Sequence, residues 1–265
     1  MKERLTGRFF KEIHVQEKEE RLELTFDREA SGSLIIWLDD PAEDFRFELR
    51  ANAYSYVKIF LQNRVTHTMS FSLHADVFKD ATVRLGLLDL QSDPLRCYER
   101  IDLKEEGATF EIYTGQLVLA DVSKVSDMEI KHHAPHTYGN MHNFAVQYDR
   151  SYYEMVANGN IEKGSYGAQS HQETRVLTLG KGHQSKVIPL LLIDENDVKA
   201  SHALTIGQPD ESQLYYLQSR GLSAEAAIGL LAIGYFLPVI DLVDDEGLHE
   251  RLREEMEERA GLYGH

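Results

Sequence analysis

The residues best suited to chemistry in this sequence are histidines, which lie close together in the segment KHHAPHTYGNMH. The four in this segment are His132, His133, His136 and His142. Imidazoles this close in sequence could bind zinc or iron(II). Pro135 breaks a helix and Gly139 favours a turn, so the four are not expected to share one helix face. On an extended strand, His132 and His133 point to opposite sides.

Two later histidines, His171 and His183, lie in predicted turns or strands, and sequence spacing alone does not bring them to the cluster. One interpretation is a metal site of His132, His133, His136 and His171. The favoured interpretation is that these histidines are structural or lie at an interface.

No segment supplies a recognisable catalytic motif. A GxxxxGK[ST] phosphate-binding loop, a dinucleotide-binding GxGxxG turn and a GxSxG nucleophile elbow are all missing from the sequence. The single cysteine, Cys97, excludes an internal disulfide and a metal site built only from cysteines. Arg96 and Arg100 could lower its pKa, but an inert, partly buried thiol is favoured. We therefore predict no catalytic residue and no enzyme activity.

His202 lies in DVKASHALTIG, where a strand-like sequence gives way to a helix-like one. It is either a ligand or acid–base group at a functional edge, or a residue that bonds buried backbone where two elements meet.

Composition limits the partners. The 265 residues can bury a substantial core, and 42% hydrophobic with 27% charged residues is typical of a globular protein. A net charge of −16 argues against binding to nucleic acid or to an anionic membrane surface. The first twenty residues lack the apolar stretch of a signal peptide, and the longest apolar run, 226–240, contains two glycines and a proline. The expected location is cytoplasmic.

The chain is organised as a long β-rich block followed by helices. From Arg21 to about Gly207, short runs that alternate apolar and polar residues are separated by turn residues, as in half-buried strands. A sandwich, a barrel and a β-solenoid all remain open, and no strict repeat period favours the solenoid.

Three helices are predicted after Gly207. Asp210 and Ser223 are candidate N-caps, and Gly221 ends the first helix. The second helix is apolar on most faces and is expected to be buried. The third runs from about Asp245 to Ala260 and carries one apolar stripe, Leu248, Leu252 and Met256.

About half of the chain, from His132 to Gly261, resembles the SufB/SufD family of iron–sulfur cluster assembly proteins. The matching segments are HHAPHT, ANGNI, QSHQETRVLTLG, IDENDVKASHALTIG and DESQLYYLQSRGLSAEAAIGLLAIGYFLPVI. The resemblance implies a mainly β protein with a right-handed parallel β-helix core over residues 21–207. It also implies an N-terminal segment over 1–20 and a small C-terminal α-helical domain over 208–265.

The resemblance also implies partners for a SufD-like form that is shorter than many members. A SufC-like ABC ATPase would dock on the C-terminal helices, and a second SufB/SufD-like protomer, identical or different, would pair through the β-helix. His202 matches a histidine at the subunit interface near the assembly site. The implied ATPase-docking residues are Tyr215, Tyr216, Arg220, Gly221 and Phe236.

The chain departs from the family pattern in its cysteines. Ala200 stands where SufD-type members often carry a cysteine, and residues 180–186 lack the cysteine of SufB-type members. Because thiolates are the usual ligands of iron–sulfur clusters, the chain is expected to hold no cluster alone and at most a transient cluster or iron within a complex. The leading interpretation is a non-catalytic SufD-like subunit. The alternatives are a histidine-dependent metal-binding solenoid or metalloenzyme, and a structural paralogue that has lost cluster chemistry.

Overall fold

A computed structural model describes residues 1–259, in which sixteen strands form two eight-stranded parallel sheets. The odd sheet contains, in spatial order, β1 (Lys2–Leu5), β3 (Arg21–Phe26), β5 (Asp44–Ala51), β7 (Met69–Val77), β9 (Leu95–Leu103), β11 (Ser123–His132), β13 (Tyr152–Ile161) and β15 (Gln184–Ile193). The even sheet contains β2 (Arg8–Val15), β4 (Ser31–Leu38), β6 (Tyr56–Asn63), β8 (Thr82–Asp89), β10 (Thr109–Val118), β12 (Tyr138–Gln147), β14 (Gln169–Thr178) and β16 (Lys199–Gly207).

The chain alternates between the two sheets, so its sixteen strands form eight consecutive pairs, here called coils, that wind through about seven turns of a parallel β-solenoid. The resemblance-based prediction of a parallel solenoid is confirmed, and the sandwich and barrel are wrong. Coil length explains why the sequence shows no repeat period. Lys2 pairs with Glu23, 21 residues further on, whereas Tyr152 pairs with Gln184, 32 residues further on. The coils lengthen along the chain while the strands stay in register.

The main core lies between the sheets and follows from the two-residue side-chain period of a strand. Along β11, buried residues alternate strictly with partly exposed ones. Inward apolar side chains of successive coils stack on one another, as in the buried column Phe45, Phe71 and Cys97. The first coils therefore have an almost entirely apolar interior.

The even sheet has a second apolar face, because helices cover its outer side. The final residues of β8, β10 and β12 are buried without alternation. The helices are α1 (Glu211–Ser219), α2 (Ala224–Ile240) and α3 (Glu246–Arg259). Buried side chains of α2 and α3 form a second cluster with residues of the even sheet, among them Trp37, Phe60, Leu117 and Phe144.

The predicted helix signals are confirmed. Asp210 accepts hydrogen bonds from the backbone N–H groups of Ser212 and Gln213, and Ser223 accepts one from Ala226. The stripe of α3 is buried as predicted, while its predicted end at Ala260 lies outside the described residues. Within residues 1–259, no helix is long and apolar enough to span a bilayer.

The structure changes one boundary. Residues 1–20, predicted to form a separate N-terminal segment, contain β1 and β2, which pair in the two sheets. The solenoid therefore begins at Lys2. The period-2 signal is weak there because Phe9, which packs on the main core, is followed by the outward and equally apolar Phe10, while the inward position after it is the polar Lys11.

Phe236 anchors α2 to the even sheet. Its side chain is 1% exposed, and it approaches the sheet where Gly115 leaves room, since a Cβ there would lie 3.1 Å from the Phe236 ring. The assignment of Phe236 to an ATPase-docking surface is therefore wrong, because the ring faces the sheet and not the solvent.

Replacement of Phe236 by alanine should lower the free energy of unfolding by about 3–5 kcal/mol, because it leaves a cavity between α2 and the sheet. The matched control is Leu230→Ala on the same helix, where the side chain is 41% exposed and the expected loss is below about 1 kcal/mol. Chemical denaturation measures both values. Equal losses would contradict the packing described here.

Candidate functional site

The structure separates the histidines that the sequence placed in one candidate metal site. His132 ends β11 and points into the solenoid with 0% exposure, whereas His133 points outward. His136 lies in a turn at φ 57° and packs edge-on against Tyr166. His171 lies on the outer face of the even sheet and bonds Ser201 at 2.7 Å. The predicted set His132, His133, His136 and His171 is therefore not brought to a common point.

His132 has a structural role. Its Nδ1 lies 2.9 Å from the Thr137 hydroxyl. Burial, followed by the neighbouring His133, lowers the pKa of His132 to about 4. The ring is therefore neutral at physiological pH and holds the turn that follows β11.

The remaining two histidines considered in the sequence analysis of the cluster, His142 and His183, lie on different elements of the fold. His142 stacks on Tyr113 with ring centroids 4.6 Å apart, and its Nδ1 lies 3.3 Å from Glu173. His183 lies in the connection that precedes β15.

His202 lies on the last coil of the solenoid, in register with Gln172 of β14. Gln172 is 4% exposed and points between the sheets, where its side chain donates to the Leu190 carbonyl at 2.6 Å. His202 occupies the same inward column one coil later. It is exposed because no further coil among the described residues covers it.

We call the open end formed by β15 and β16 the terminal face. Among residues 1–259, each of these two strands pairs on one side only, so the terminal face carries two open strand edges. It also carries large apolar side chains that are 37–51% exposed: Leu190, Leu192, Ile193, Leu204 and Ile206. A surface with strand edges, apolar side chains and one imidazole is suited to pairing with another sheet-containing chain.

Cys97 is remote from the terminal face. It is fully buried on β9, and three strand spacings, about 14 Å, separate β9 from β15. Burial, followed by Glu99, raises the pKa of the thiol, so the arginines at 96 and 100 do not activate it. The expectation of an inert buried cysteine fits this position.

Polar residues collect inside the middle coils, a feature that the sequence interpretation missed. Lys124 and Asp89 form a fully buried ion pair at 2.6 Å, and Lys124 also donates to the Gln91 carbonyl at 2.9 Å. Further along the interior, Glu99 points inward from β9 with 1% exposure, and burial raises its pKa to about 8. The available sequence signal was the appearance of two charged residues, Glu99 and Lys124, at inward positions of alternating strands.

The residues predicted to dock an ATPase lie mainly on α1. This helix has no buried residue, and Tyr215 and Tyr216 are 75% and 56% exposed. The Arg220 guanidinium lies 5.2 Å from the centre of the Tyr216 ring. Gly221, at φ 98°, allows the chain to leave the helix. Four of the five predicted docking residues thus lie together at an exposed helix end.

The fold and its terminal face define a parallel β-solenoid that presents an open coil at one end and a helical cover on one sheet. The family model described as "SUF system FeS cluster assembly, SufBD core domain" matches residues 20–235. The chain therefore belongs to the SufBD family of the SUF system, as the sequence motifs predicted.

Curated relatives agree with this assignment. The chain is 44% identical over 94 residues to the iron–sulfur cluster assembly protein SufD of Bacillus subtilis, which covers 36% of this chain and 22% of the relative. It is 25% identical over 215 residues to SufD of Escherichia coli, with 78% and 49% covered, and 26% identical over 214 residues to SufD of Plasmodium falciparum, with 76% and 14% covered. The matches span about half or less of the length of these relatives.

The buried Glu99 should make stability depend on pH. Its pKa in the folded chain, about 8, lies above the ordinary value of 4.5, so the stabilisation is complete below pH 4.5 and is lost as pH rises through 8. Glu99→Gln keeps the neutral shape and should be more stable than the original chain at pH 8 by on the order of 2–4 kcal/mol, with little difference at pH 5. Urea denaturation across this range measures the difference.

The control for this measurement is Glu29→Gln, because Glu29 lies in a turn with 72% of its side chain exposed. It should follow the original chain at every pH. A Glu99→Gln curve parallel to that of the original chain would show that Glu99 is ionised inside the fold.

Proposed function

We propose that this chain is a non-catalytic SufD-like subunit of a SUF-type iron–sulfur cluster assembly complex. In this complex, it pairs with a second SufB/SufD-like protomer through the terminal face and binds a SufC-like ABC ATPase through α1. Two observations carry the proposal. The chain belongs to the SufBD family, and its terminal face exposes strand edges and apolar side chains around His202.

The terminal face supports protomer pairing on physical grounds. Leu204 and Ile206 continue the inward columns of β14, and Leu192 continues an outward column of β13, so a further coil would cover the first two and flank the third. A second protomer that presents the same kind of face would remove this apolar surface from water. It would also satisfy the backbone groups of β15 and β16 by extending both sheets. The inward position of His202 then places its imidazole at the junction between the two protomers.

The chain supplies few ligands for a cluster at that junction. His202 provides an imidazole, Ala200 provides none, and Cys97 is buried inside the middle coils. Because iron–sulfur clusters are normally held by thiolates, the thiolate ligands would come from the other protomer. In this proposal, the cluster is cargo that the complex holds transiently, and this chain shapes the junction around it.

The helices support ATPase docking through α1. Tyr215 and Tyr216 contribute no buried contact to the fold, and the outward side of α2 adds Leu230 and Leu237, which are 41% and 36% exposed. Exposed tyrosines with an adjacent arginine are typical of interface cores. This surface is formed by the helices and the terminal face by β15 and β16, so the two partners would contact different elements of the chain.

The same helices offer a mechanical connection between the two partners. α1 packs on α2, α2 contacts β14, and β14 pairs with β16, which carries His202. Nucleotide-driven dimerisation of the ATPase would move α1 and α2, and this movement would rearrange the junction around His202.

The burial of the only thiol favours one alternative, a structural paralogue that keeps the interfaces but no longer supports cluster assembly. In that alternative, both partners bind, yet the complex gains no iron–sulfur absorbance when it is reconstituted anaerobically with iron and sulfide.

Leu204→Asp should weaken protomer pairing at least tenfold, because it places a carboxylate in the apolar surface that pairing buries. The control is Phe10→Asp at the opposite end of the solenoid, where the side chain is 65% exposed. Analytical ultracentrifugation measures self-association, and co-purification with SufB-like chains of the same genome measures mixed pairs. If Phe10→Asp has the same effect, or if the original chain pairs with neither, the proposed role of the terminal face is wrong.

The triple variant Tyr215→Ala, Tyr216→Ala and Arg220→Ala should lower affinity for the SufC-like ATPase at least tenfold while circular dichroism stays unchanged, since α1 buries no side chain. Tyr166→Ala, at a side chain that is 50% exposed and lies in a turn of the solenoid, is the control. Deletion of residues 208–265 would be a poorer test because it uncovers Trp37 and Phe60. Unchanged ATPase binding by the triple variant would contradict docking on α1.

A further inference from the structure

The outer face of the odd sheet carries a compact group of potential metal ligands from three coils. His74 and Asp76 lie on the same side of β7, two residues apart, and Asp76 is in register with Asp102 of β9. His133, immediately after β11, reaches Asp102 from the other side. Residues that lie as much as 59 positions apart in the sequence thus meet at one point of the sheet.

The distances suit a small divalent cation. His74 Nε2 lies 3.2 Å from Asp102 Oδ2 and 3.9 Å from Asp76 Oδ1, and one ligand atom from each of the three residues lies within 4.8 Å of the others. Bonds of about 2.0–2.2 Å in a tetrahedral arrangement separate ligand atoms by roughly 3.3–3.6 Å. Side-chain shifts of less than an ångström would therefore bring the three atoms to a common ion.

The carboxylates around the imidazoles of His74 and His133 favour metal binding at this point. His133 Nε2 contacts Asp102 Oδ1, the oxygen that His74 does not contact, while His133 Nδ1 lies 2.8 Å from Glu162. His74 Nδ1 faces Glu48 at 3.6 Å. Metal-binding histidines commonly direct their second ring nitrogen to a carboxylate, which orients the ring and strengthens it as a ligand.

Lys104 is the internal competitor for a cation at this point. Its ammonium lies 3.3 Å from Asp76 Oδ1 and 3.2 Å from Asp102 Oδ1, so it lies between the carboxylates. The side chain is 35% exposed and flexible, and it can turn into solvent when a divalent ion binds. Lys104 would therefore lower the affinity of the site without blocking it.

We propose that His74, Asp76 and Asp102 form a binding site for a divalent transition metal, with His133 as the residue that positions Asp102. One imidazole with two carboxylates is a mixed nitrogen and oxygen donor set, which suits zinc, manganese or iron(II) more than magnesium or copper(I). The site lies on β7 and β9, at least three strands away from the terminal face on the odd sheet. It is therefore independent of the proposed pairing and ATPase docking.

The test is calorimetric titration of Zn²⁺ into the untagged full chain after chelator treatment, with Co²⁺ absorption as a second readout of inner-sphere binding. The original chain should show one saturable site that His74→Ala removes or weakens at least tenfold. Asp102→Asn should act in the same direction. Lys104→Gln should bind Zn²⁺ several-fold more tightly, because it removes the competing ammonium.

The matched control is His14→Ala. His14 is 45% exposed, against 48% for His74, and it also lies beside carboxylates. Each ring nitrogen of His14 faces only one carboxylate, Glu12 at Nε2 and Asp39 at Nδ1, whereas Nε2 of His74 faces two. Its variant should bind Zn²⁺ as the original chain does. Equal losses in His14→Ala and His74→Ala, no saturable site, or unchanged affinity in Lys104→Gln would each overturn the proposal.

Discussion

Hydrogen bonding between strands of successive coils is the interaction on which the rest of this structure depends. Each strand satisfies its backbone groups with strands 21–32 residues away, so every coil needs a neighbour on both sides. Strict register places inward residues of each coil on those of the next and produces one continuous core. The same requirement makes the last described coil, β15 and β16, an open surface with exposed apolar side chains and His202.

The solenoid tolerates polar groups inside its middle coils because they are paired or neutral. Lys124 offsets Asp89 directly, and raising the pKa of Glu99 keeps that carboxyl uncharged at neutral pH. On the outside, the even sheet gains a second core from α2 and α3, and small residues such as Gly86 and Gly115 let α2 approach the strands closely. The helices α2 and α3 are thus part of the fold, whereas no residue of α1 is buried.

Three surfaces of the molecule are therefore distinct in position and chemistry. The terminal face is apolar with strand edges, α1 is aromatic with one cation, and the outer face of the odd sheet carries charged side chains and histidines. In the proposed complex, this separation would leave two surfaces open while the third is occupied. His202 belongs to the first surface, and His133 belongs to the third.

The sequence by itself determined the family, the β-rich block, the three helices and their caps, because motifs, two-residue alternation and capping residues such as Asp210 and Ser223 act locally. It also indicated that His132 and His133 point to opposite sides. Only the tertiary structure decided what each residue meets, because neighbours in a solenoid lie a variable coil length apart in the sequence. Because the coil length varies, the sequence shows no constant repeat period. For the same reason, the contact of His133 with Asp102, and of Asp102 with His74, could not be predicted from sequence spacing. The variable coil length also separated His171 from His133, and the packing of α2 on the sheet turned Phe236 from an expected contact residue into a core residue.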